Sequence, residues 1–549
     1  MVQTSPVPGE DRARAVTVSV AKAAGIIAVA TLFARVAGFA RILVFSGSVG
    51  AGGVGDVYQT VNMLPNVVFE VAAGGVLVAV AVPIIAGQLG AGRSEDADQT
   101  ASAMLTWTLM VLLPLSALLA LAAPALSSLL LGGAQPPGSV ELGARMLVVF
   151  APQVALYGVG IVLTGVLQAH RRFLAAALAP LFSSLVVIAA YLAYGQLTEP
   201  GTSAADVSTA SIAVLAGGTT LGVVVLSLPL FLPVRRSGVR LRLTLRFPDG
   251  AARRAGALAG AGVVALVAQQ AAVVATLWLT HRSGSQGAVN VYAYVQAVYL
   301  LPYAVLAVPI ATSAFPALAH TEGSGQQDHG TLARALRAIL VLCGAAVAVL
   351  VAVARPVGSF FTALDRGALT GGGDALAAMP QTLVAYAPGL LGFGVTALLT
   401  RALYVRGRPA HAALAVAGGW LVAALWPLLT LPEDASPAGV LRSLGVASSA
   451  GMTLSALALA LLVRASWGAD ATRGAARTLG AAVVAAALAG GVGDAVAFYW
   501  APEGIAGSLL VGVGVSVVVL VAYLLLMLVA DRSAMRSAIE RGRRRRGRA

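Results

Sequence analysis

The strongest constraint in this sequence is a series of apolar runs, each long enough to cross a lipid bilayer. A helix needs roughly 20 predominantly apolar residues to do so. Such runs lie near 19–47, 57–90, 99–123, 142–168, 174–196, 208–233, 255–280, 288–317, 332–354, 378–404, 409–430, 440–463, 475–499 and 505–530. Backbone polar groups must be satisfied internally in lipid, which helices do within one segment. The expected fold is therefore an all-α integral membrane protein with about fourteen transmembrane helices. Charged residues make up only 11% of the chain, against about 25% in soluble domains. That excludes a water-soluble enzyme of several domains.

Several runs exceed the length of one crossing and should tilt or kink. Pro65, Pro152, Pro302, Pro309 and Pro388 fall inside them. An interior proline removes a helix hydrogen bond and bends the axis. Such breaks are tolerated where the backbone faces protein or a water-filled cavity.

The net charge of +14 does not point to nucleic acid, because the arginines lie in short connectors between apolar runs. Alternate connectors carry them: Arg171 and Arg172; seven arginines over 235–254; Arg334 and Arg337; Arg406 and Arg408; Arg464, Arg473 and Arg477; and the tail from Arg541. The positive-inside rule then places both termini in the cytosol. Arg282, Arg355, Arg366 and Arg442 fall on the opposite side, too few to reverse the orientation. The segment 235–254 divides the chain into six spans and eight. Its alternation of Val239, Leu241, Leu243 and Leu245 with Arg240, Arg242 and Arg246 suits a short surface strand or an interfacial segment. Cys343 stands alone, so no internal disulfide or cysteine-based metal site is available. With no P-loop motif, nothing in the chain is built to use ATP.

Chemistry concentrates in the first two spans. Arg35 and Arg41 lie in or beside an apolar helix, where a mid-membrane charge costs about 2.5–3.5 kcal/mol and is kept for a cavity or a partner. Six residues separate them, about 9 Å along a helix and about 240° around it. A bend at Gly38 would bring both to one cavity. Downstream come Gly50-Ala51-Gly52-Gly53-Val54-Gly55-Asp56, then Leu64-Pro65-Asn66 and, one turn later, Glu70. Two readings stand side by side: the arginines bind a diphosphate by charge-assisted, bidentate bonds, or they form structural ion pairs with Asp56 and Glu70.

The block from Arg35 to Pro83 resembles the signature of the lipid II flippase family, often called MurJ or MviN. Its members read S-R-x-x-G-F-x-R-D, G-A-G-x-x-x-D-A-F, x-P-N-x-x-R, E-G-A-F and F-V-P. Here Arg35, Gly38, Phe39, Arg41, Gly50, Ala51, Gly52, Asp56, Pro65, Asn66, Gly75 and Pro83 stand in matching positions. Further similarity lies in Leu167 to Phe173 with Ala179-Pro180, in Leu301-Pro302 through Phe315-Pro316, and in Arg401 to Arg406. The resemblance implies two six-helix lobes around a central cationic cavity, plus two C-terminal helices forming a groove for a lipid tail. On this sequence that gives a cytosolic segment 1–18, an N-terminal lobe 19–234, a basic linker 235–254, a C-terminal lobe 255–463, a tail groove 464–530 and a basic tail 531–549. The function it implies is to move lipid-linked peptidoglycan precursor from the inner to the outer leaflet of the bacterial cytoplasmic membrane by alternating access. Substrate-binding residues would be Arg35, Arg41, Asp56, Asn66, Glu70 and Arg401, with hinges at Gly38, Pro65 and Pro302. The implied partners are lipid II, membrane lipids, and cell-wall synthesis and division proteins; no nucleic acid and no cofactor are called for.

Departures from the pattern are specific. Ile42 replaces the family's Asp after the second Arg, Phe69 stands near its next Arg, Gly74 replaces its Glu, and Val295-Gln296-Ala297 stands for its A-D-R. The seventh and eleventh spans hold no acid that would support sodium coupling. Three alternatives follow: an exporter of another lipid-linked oligosaccharide, a drug exporter, or a transport-inactive scaffold for cell-wall synthesis. The arginines favour a phosphate-bearing lipid over a cationic drug.

Overall fold

The computed structural model describes residues 8–132, 135–248, 251–282, 286–323, 329–367, 371–432 and 434–532. The basic tail beyond 532 and residues 1–7 of the N-terminal segment lie outside them. Among the described residues the regular structure is helical throughout.

The first half comprises α1 (Pro8–Ser48), α2 (Val54–Phe69), α3 (Gly75–Gly90), α4 (Ser94–Leu121), α5 (Ala123–Leu131), α6 (Ser139–Phe150), α7 (Gln153–Ala169), α8 (Phe173–Leu197), α9 (Thr209–Ile212), α10 (Gly218–Ser227) and α11 (Phe231–Arg236). The second half comprises α12 (Ala251–Arg282), α13 (Ala288–Pro302), α14 (Val308–Gly323), α15 (His329–Ala352), α16 (Ala354–Leu364), α17 (Gly373–Ala377), α18 (Met379–Tyr386), α19 (Gly389–Val405), α20 (Pro409–Thr430), α21 (Pro437–Trp467), α22 (Ala475–Trp500) and α23 (Gly504–Ala530). Among the described residues, 13 helical segments are long and apolar enough to cross a membrane. The remaining expected crossing, 57–90, is helical from α2 to α3 through a π-helical segment, Glu70–Gly74.

Helices pack chiefly within their own half. In the first half α1 lies along α8, α8 along α10, and α4 along α7. In the second, α20 lies between α12 and α21, and α19 packs on α21. The last two helices, α22 and α23, pack on each other and against α15 and α16. The halves meet mainly where α3 packs along α12 and where α2 meets α13.

Small residues set the closest approaches. A Cβ on Gly419 would sit 2.4 Å from the Gly451 carbonyl oxygen, and one on Gly451 would sit 2.2 Å from that of Gly419. The α20–α21 backbones therefore touch at this crossing, as small-residue interfaces allow in lipid.

Helix alternation gives the molecule two ends. Among the described residues, the latched end carries 49–53, 198–208, 365–367 with 371–372, and 431–432 with 434–436; the basic end carries the arginine-rich connectors.

At the basic end, residues 239–248 are extended but join no sheet. They run along α4 instead. The amides of Arg240, Arg242 and Thr244 donate to Asp98 Oδ2, Ser102 Oγ and Thr106 Oγ1 at 3.0, 3.1 and 3.2 Å. The register is arithmetic: two extended residues advance about 6.6 Å, and four helical residues about 6 Å. Each hydroxyl also donates back to its own helix, Ser102 to the Asp98 carbonyl and Thr106 to that of Ser102. Trp107 Nε1 and Gln99 Nε2 donate to the carbonyls of Leu245 and Arg246. The segment is thus a strap bound to helix side chains. Its apolar alternation is used only at the start: Val239 is buried, whereas Leu243 is exposed.

Candidate functional site

A cavity of about 490 Å³ lies among α1, α2, α7, α8, α10 and α13. Arg41 lines it, with Gly38 one turn earlier, and Gln59, Asn62, Ser183, Ser184, Thr219 and Asn290 supply neutral polar groups. Among the described residues, no carboxylate lines it. The α1 and α2 side chains reach the same space because the helices adjoin through the turn 49–53. One wall is a fixed hydroxyl cluster: Tyr58 Oη lies 2.8 Å from both Tyr191 Oη and Thr219 Oγ1, and Thr219 donates to the Leu215 carbonyl at 2.7 Å. Phe45 and Phe150 pack against the Tyr58 ring and hold it in place.

Arg41 is half-buried and has no hydrogen bond or ion pair among the described residues; Tyr58, Tyr157 and Tyr191 lie within its field. Arg35 is exposed on α1 and does not line this cavity. Its charge and that of Arg401 both act at Tyr303, which follows Pro302. Arg401 also donates to the Ala397 carbonyl at 2.6 Å. Arg41 thus lines the cavity, and Arg35 and Arg401 stand outside its lining.

Neither Arg35 nor Arg41 pairs with Asp56 or Glu70, so the structural ion-pair reading does not hold in this conformation. Asp56 is buried and faces His281 instead, with Nε2 3.7 Å from Oδ2. Glu70 is half-buried at the first residue of the π segment. Asn66 is exposed and outside the cavity lining, where Asn62, one turn earlier, takes the place expected of it. Pro65 is buried in α2 five residues before one π segment, and Pro302 immediately precedes another, Tyr303–Ala307. Gly38 sits within an unbroken α-helix. Open space surrounds its Cβ position.

At the latched end the halves are clasped. Asp365 Oδ2 accepts from Ser46 Oγ at 2.7 Å and Tyr294 Oη at 3.2 Å, and Oδ1 accepts from the amides of Ala51 and Gly367 at 2.9 and 2.8 Å. Burial pushes the Asp365 carboxyl above the ordinary carboxylate range, and these four donors pull it back. Arg366 caps three first-half carbonyls, Ser48 and Gly195 through Nη1 at 3.2 and 2.6 Å and Thr198 through Nη2 at 2.5 Å. Asn290 Nδ2 adds a bond to the Ala51 carbonyl at 2.7 Å.

The glycine run is shaped for this contact. Gly50 has φ +90°, and a Cβ there would stand 2.3 Å from the Gly367 amide nitrogen. Asp365 and Arg366 do not stand out as site residues in the sequence, where Arg366 counts only toward orientation. The local signal is an Asp-Arg-Gly turn between two spans, which says nothing of its distant partners.

A polytopic helical bundle, with a cationic cavity that no carboxylate lines among the described residues and one end clasped between its halves, defines a multi-pass membrane transporter. Residues 45–514 match the family described as "Lipid II flippase MurJ". A "Probable lipid II flippase MurJ" from Rhizobium tropici is 28% identical over 299 residues, 54% of each chain. The chain thus spans about half the length of that curated relative. Among solved structures, "Lipid II flippase MurJ, inward closed conformation" superposes with a TM-score of 0.69 at 17% identity, over 93% of this chain and 99% of that one. An inward-facing multidrug resistance MATE family transporter of the MOP superfamily gives 0.62 at 16% identity, over 81% and 96%. The chain belongs to the lipid II flippase MurJ family.

Proposed function

We propose that this protein is a flippase that moves undecaprenyl-diphosphate-linked peptidoglycan precursor, lipid II, from the inner to the outer leaflet of the bacterial cytoplasmic membrane. The observation that carries the reading is Arg41: a guanidinium without a protein partner among the described residues, in a cavity with no carboxylate. A phosphate is the natural occupant, because guanidinium binds it bidentately and such a bond is worth about 1.5–3 kcal/mol. The neutral amides and hydroxyls of Gln59, Asn62, Ser183 and Ser184 suit sugar and peptide groups. A cationic drug would meet an unmatched like charge.

The arginine-rich connectors set the basic end toward the cytosol, with both termini there. The latched end then faces outward and is shut. Arg41 takes the diphosphate; Arg35 on α1 and Arg401 on α19 supply further positive charge along the path. Asn66 and Glu70 border the path as the lobes move. The lobes are 19–234 and 255–463, the strap lies within the linker 235–254, and α22 and α23 form the groove that keeps the polyprenyl tail in lipid. Rocking of one lobe against the other breaks the Asp365–Arg366 clasp and opens the cavity outward. Hinges at Pro65 and Pro302 sit beside π segments, where helices deform readily. Gly38 gives α1 a site at which to bend. Translocation uses no cofactor and makes or breaks no covalent bond.

A photoreactive residue in place of Asn62 tests this placement. Lipid II is expected to crosslink there and to be displaced by excess unlabelled lipid II. Crosslinking absent at Asn62 but present at the lipid-facing Leu461 would contradict it.

A further inference from the structure

Asn290 belongs to the cavity and to the clasp at once. It lies in the first turn of α13, fully buried, and lines the cavity. Its Nδ2 donates to the Ala51 carbonyl at 2.7 Å. A carbonyl only accepts, so the nitrogen end of the amide is the end turned to Ala51, and the oxygen end is left over. That Oδ1 is buried and has no hydrogen-bond partner among the described residues. Tyr294, one turn further along α13, repeats the pattern: it lines the cavity, and its hydroxyl donates to Asp365. One face of α13 is therefore both cavity wall and clasp.

Ala51 is the part of the first half that this face grips. It is fully buried, with its amide on Asp365 Oδ1 at 2.9 Å and its carbonyl on Asn290. Opening the latched end withdraws it from both.

A second amide oxygen stands in the same wall. Asn62 is half-buried on α2, which packs on α13, and it also lines the cavity. Its Oδ1 is buried without a hydrogen-bond partner among the described residues. Arg41, the cation of the cavity, bonds to neither oxygen. A buried acceptor without a donor disfavours the state that holds it, by about fivefold or more in the equilibrium. The wall thus carries two acceptors, one from each half, suited to hydrogen-bond donors on whatever occupies the cavity.

We propose that Asn290, with Asn62, forms a subsite for a hydrogen-bond donor of the translocated headgroup, a hydroxyl or an amide N–H close to the phosphate on Arg41. The proposal rests on the flippase reading and deepens it by naming the chemistry that must adjoin the phosphate. An ionised diphosphate offers acceptors alone and leaves both amide oxygens unmet. A sugar with hydroxyl and acetamido groups meets them.

The same geometry ties recognition to the gate. While the latched end is shut, Ala51 holds the Asn290 amide with its oxygen spare. A ligand donor on that oxygen relieves the shut state. It adds nothing in an open state, where water serves the amide. The ligand therefore favours closure, and by linkage its own affinity falls by the same factor when the latched end opens. The headgroup is held while that end is shut and loosened as it opens.

Titration of lipid II and of undecaprenyl diphosphate against the full-length protein in nanodiscs tests the subsite. Wild type is compared with Asn62→Leu and Asn290→Leu, which keep the side-chain shape and remove its polar atoms. Wild type is expected to bind lipid II the more tightly. Each variant should lose about two- to tenfold for lipid II, the worth of a neutral hydrogen bond, with little change for undecaprenyl diphosphate. Asn62→Ala and Asn290→Ala stand in for a leucine variant that does not fold. Distances between spin labels on Ser203→Cys and Asp434→Cys, exposed in the two halves at the latched end, test the tie to the gate on a Cys343→Ala background. Lipid II should raise the closed-to-open ratio of wild type about two- to tenfold, and that of Asn290→Leu far less. Lipid II binding that ignores both asparagines, or an equal loss for the two lipids, would overturn the proposal and leave the flippase reading standing. An unchanged closed-to-open ratio in wild type with lipid II bound would do the same. Binding of neither lipid by wild type would count against the flippase reading itself and overturn the proposal with it.

Discussion

Asp365 and Ser46, 319 positions apart, are joined by a 2.7 Å hydrogen bond that ties the turn after α16 to the end of α1. Around it the same short turn offers a carboxylate to first-half amides and a guanidinium to first-half carbonyls. That reciprocal fit makes the latched end a single unit, and it can open only by giving up several bonds together.

Arg366→Ala removes every guanidinium contact with Ser48, Gly195 and Thr198 while leaving the Asp365 bonds intact. Charged hydrogen bonds of this kind are worth about 1.5–3 kcal/mol, so the closed population should fall about tenfold or more. Spin-label distances across the latched end report it. Arg366→Lys, which lacks the planar fork, should recover only part of the loss.

Gly50 and Gly53 both have positive φ, at +90° and +54°, yet only Gly50 has a neighbour where a Cβ would go. Gly50→Ala should destabilise the fold or the closed state by about 1–3 kcal/mol. Gly53→Ala should cost less, because only backbone strain at φ +54° and ψ −121° opposes it and no neighbouring atom stands where its Cβ would go. Thermal unfolding midpoints of the two variants in one detergent separate them.

Gly451→Leu drives a branched side chain into the Gly419 backbone. Overpacking of this kind costs about 1–3 kcal/mol, and more where backbone cannot move. Loss of folded, monodisperse protein on size-exclusion chromatography is the expected result. Gly418→Ala, one residue from the crossing and with open space at its Cβ position, should behave as wild type.

The strap predicts a proteolysis pattern. Ser102→Ala with Thr106→Val removes two acceptors for strap amides, each bond being worth about 1 kcal/mol. Trypsin should then cut after Arg240 and Arg242 faster than in wild type, with helix content by circular dichroism unchanged.

How much of this is legible in the sequence follows from the range of each interaction. Span number and the basic connectors are local properties, and they are readable. Arg41 and the glycine run also stand out, since a charge in an apolar helix and four glycines in six residues are anomalies on their own stretch of chain. The division of labour between Arg41 and Arg35 is not readable, because an angle around one helix does not say which neighbours face it. His281 looks like one of several scattered histidines, and only packing of α12 against α2 pairs it with Asp56. The 239–246 alternation is visible, yet its partner is a helix whose Asp98, Ser102 and Thr106 repeat every four residues. A period of two matching a period of four appears only when both stretches are laid side by side.

Translocation of fluorescent lipid II in proteoliposomes tests the role of Arg41 most directly, comparing wild type with Arg41→Ala and with Arg35→Ala/Arg41→Ala at matched abundance and orientation. Transport by wild type is expected, with a loss of about tenfold or more in Arg41→Ala and a further loss in the double variant. Wild-type transport left undiminished by removing both arginines would contradict the assignment of the diphosphate to this cavity, and no transport by correctly oriented wild type would contradict the flippase itself.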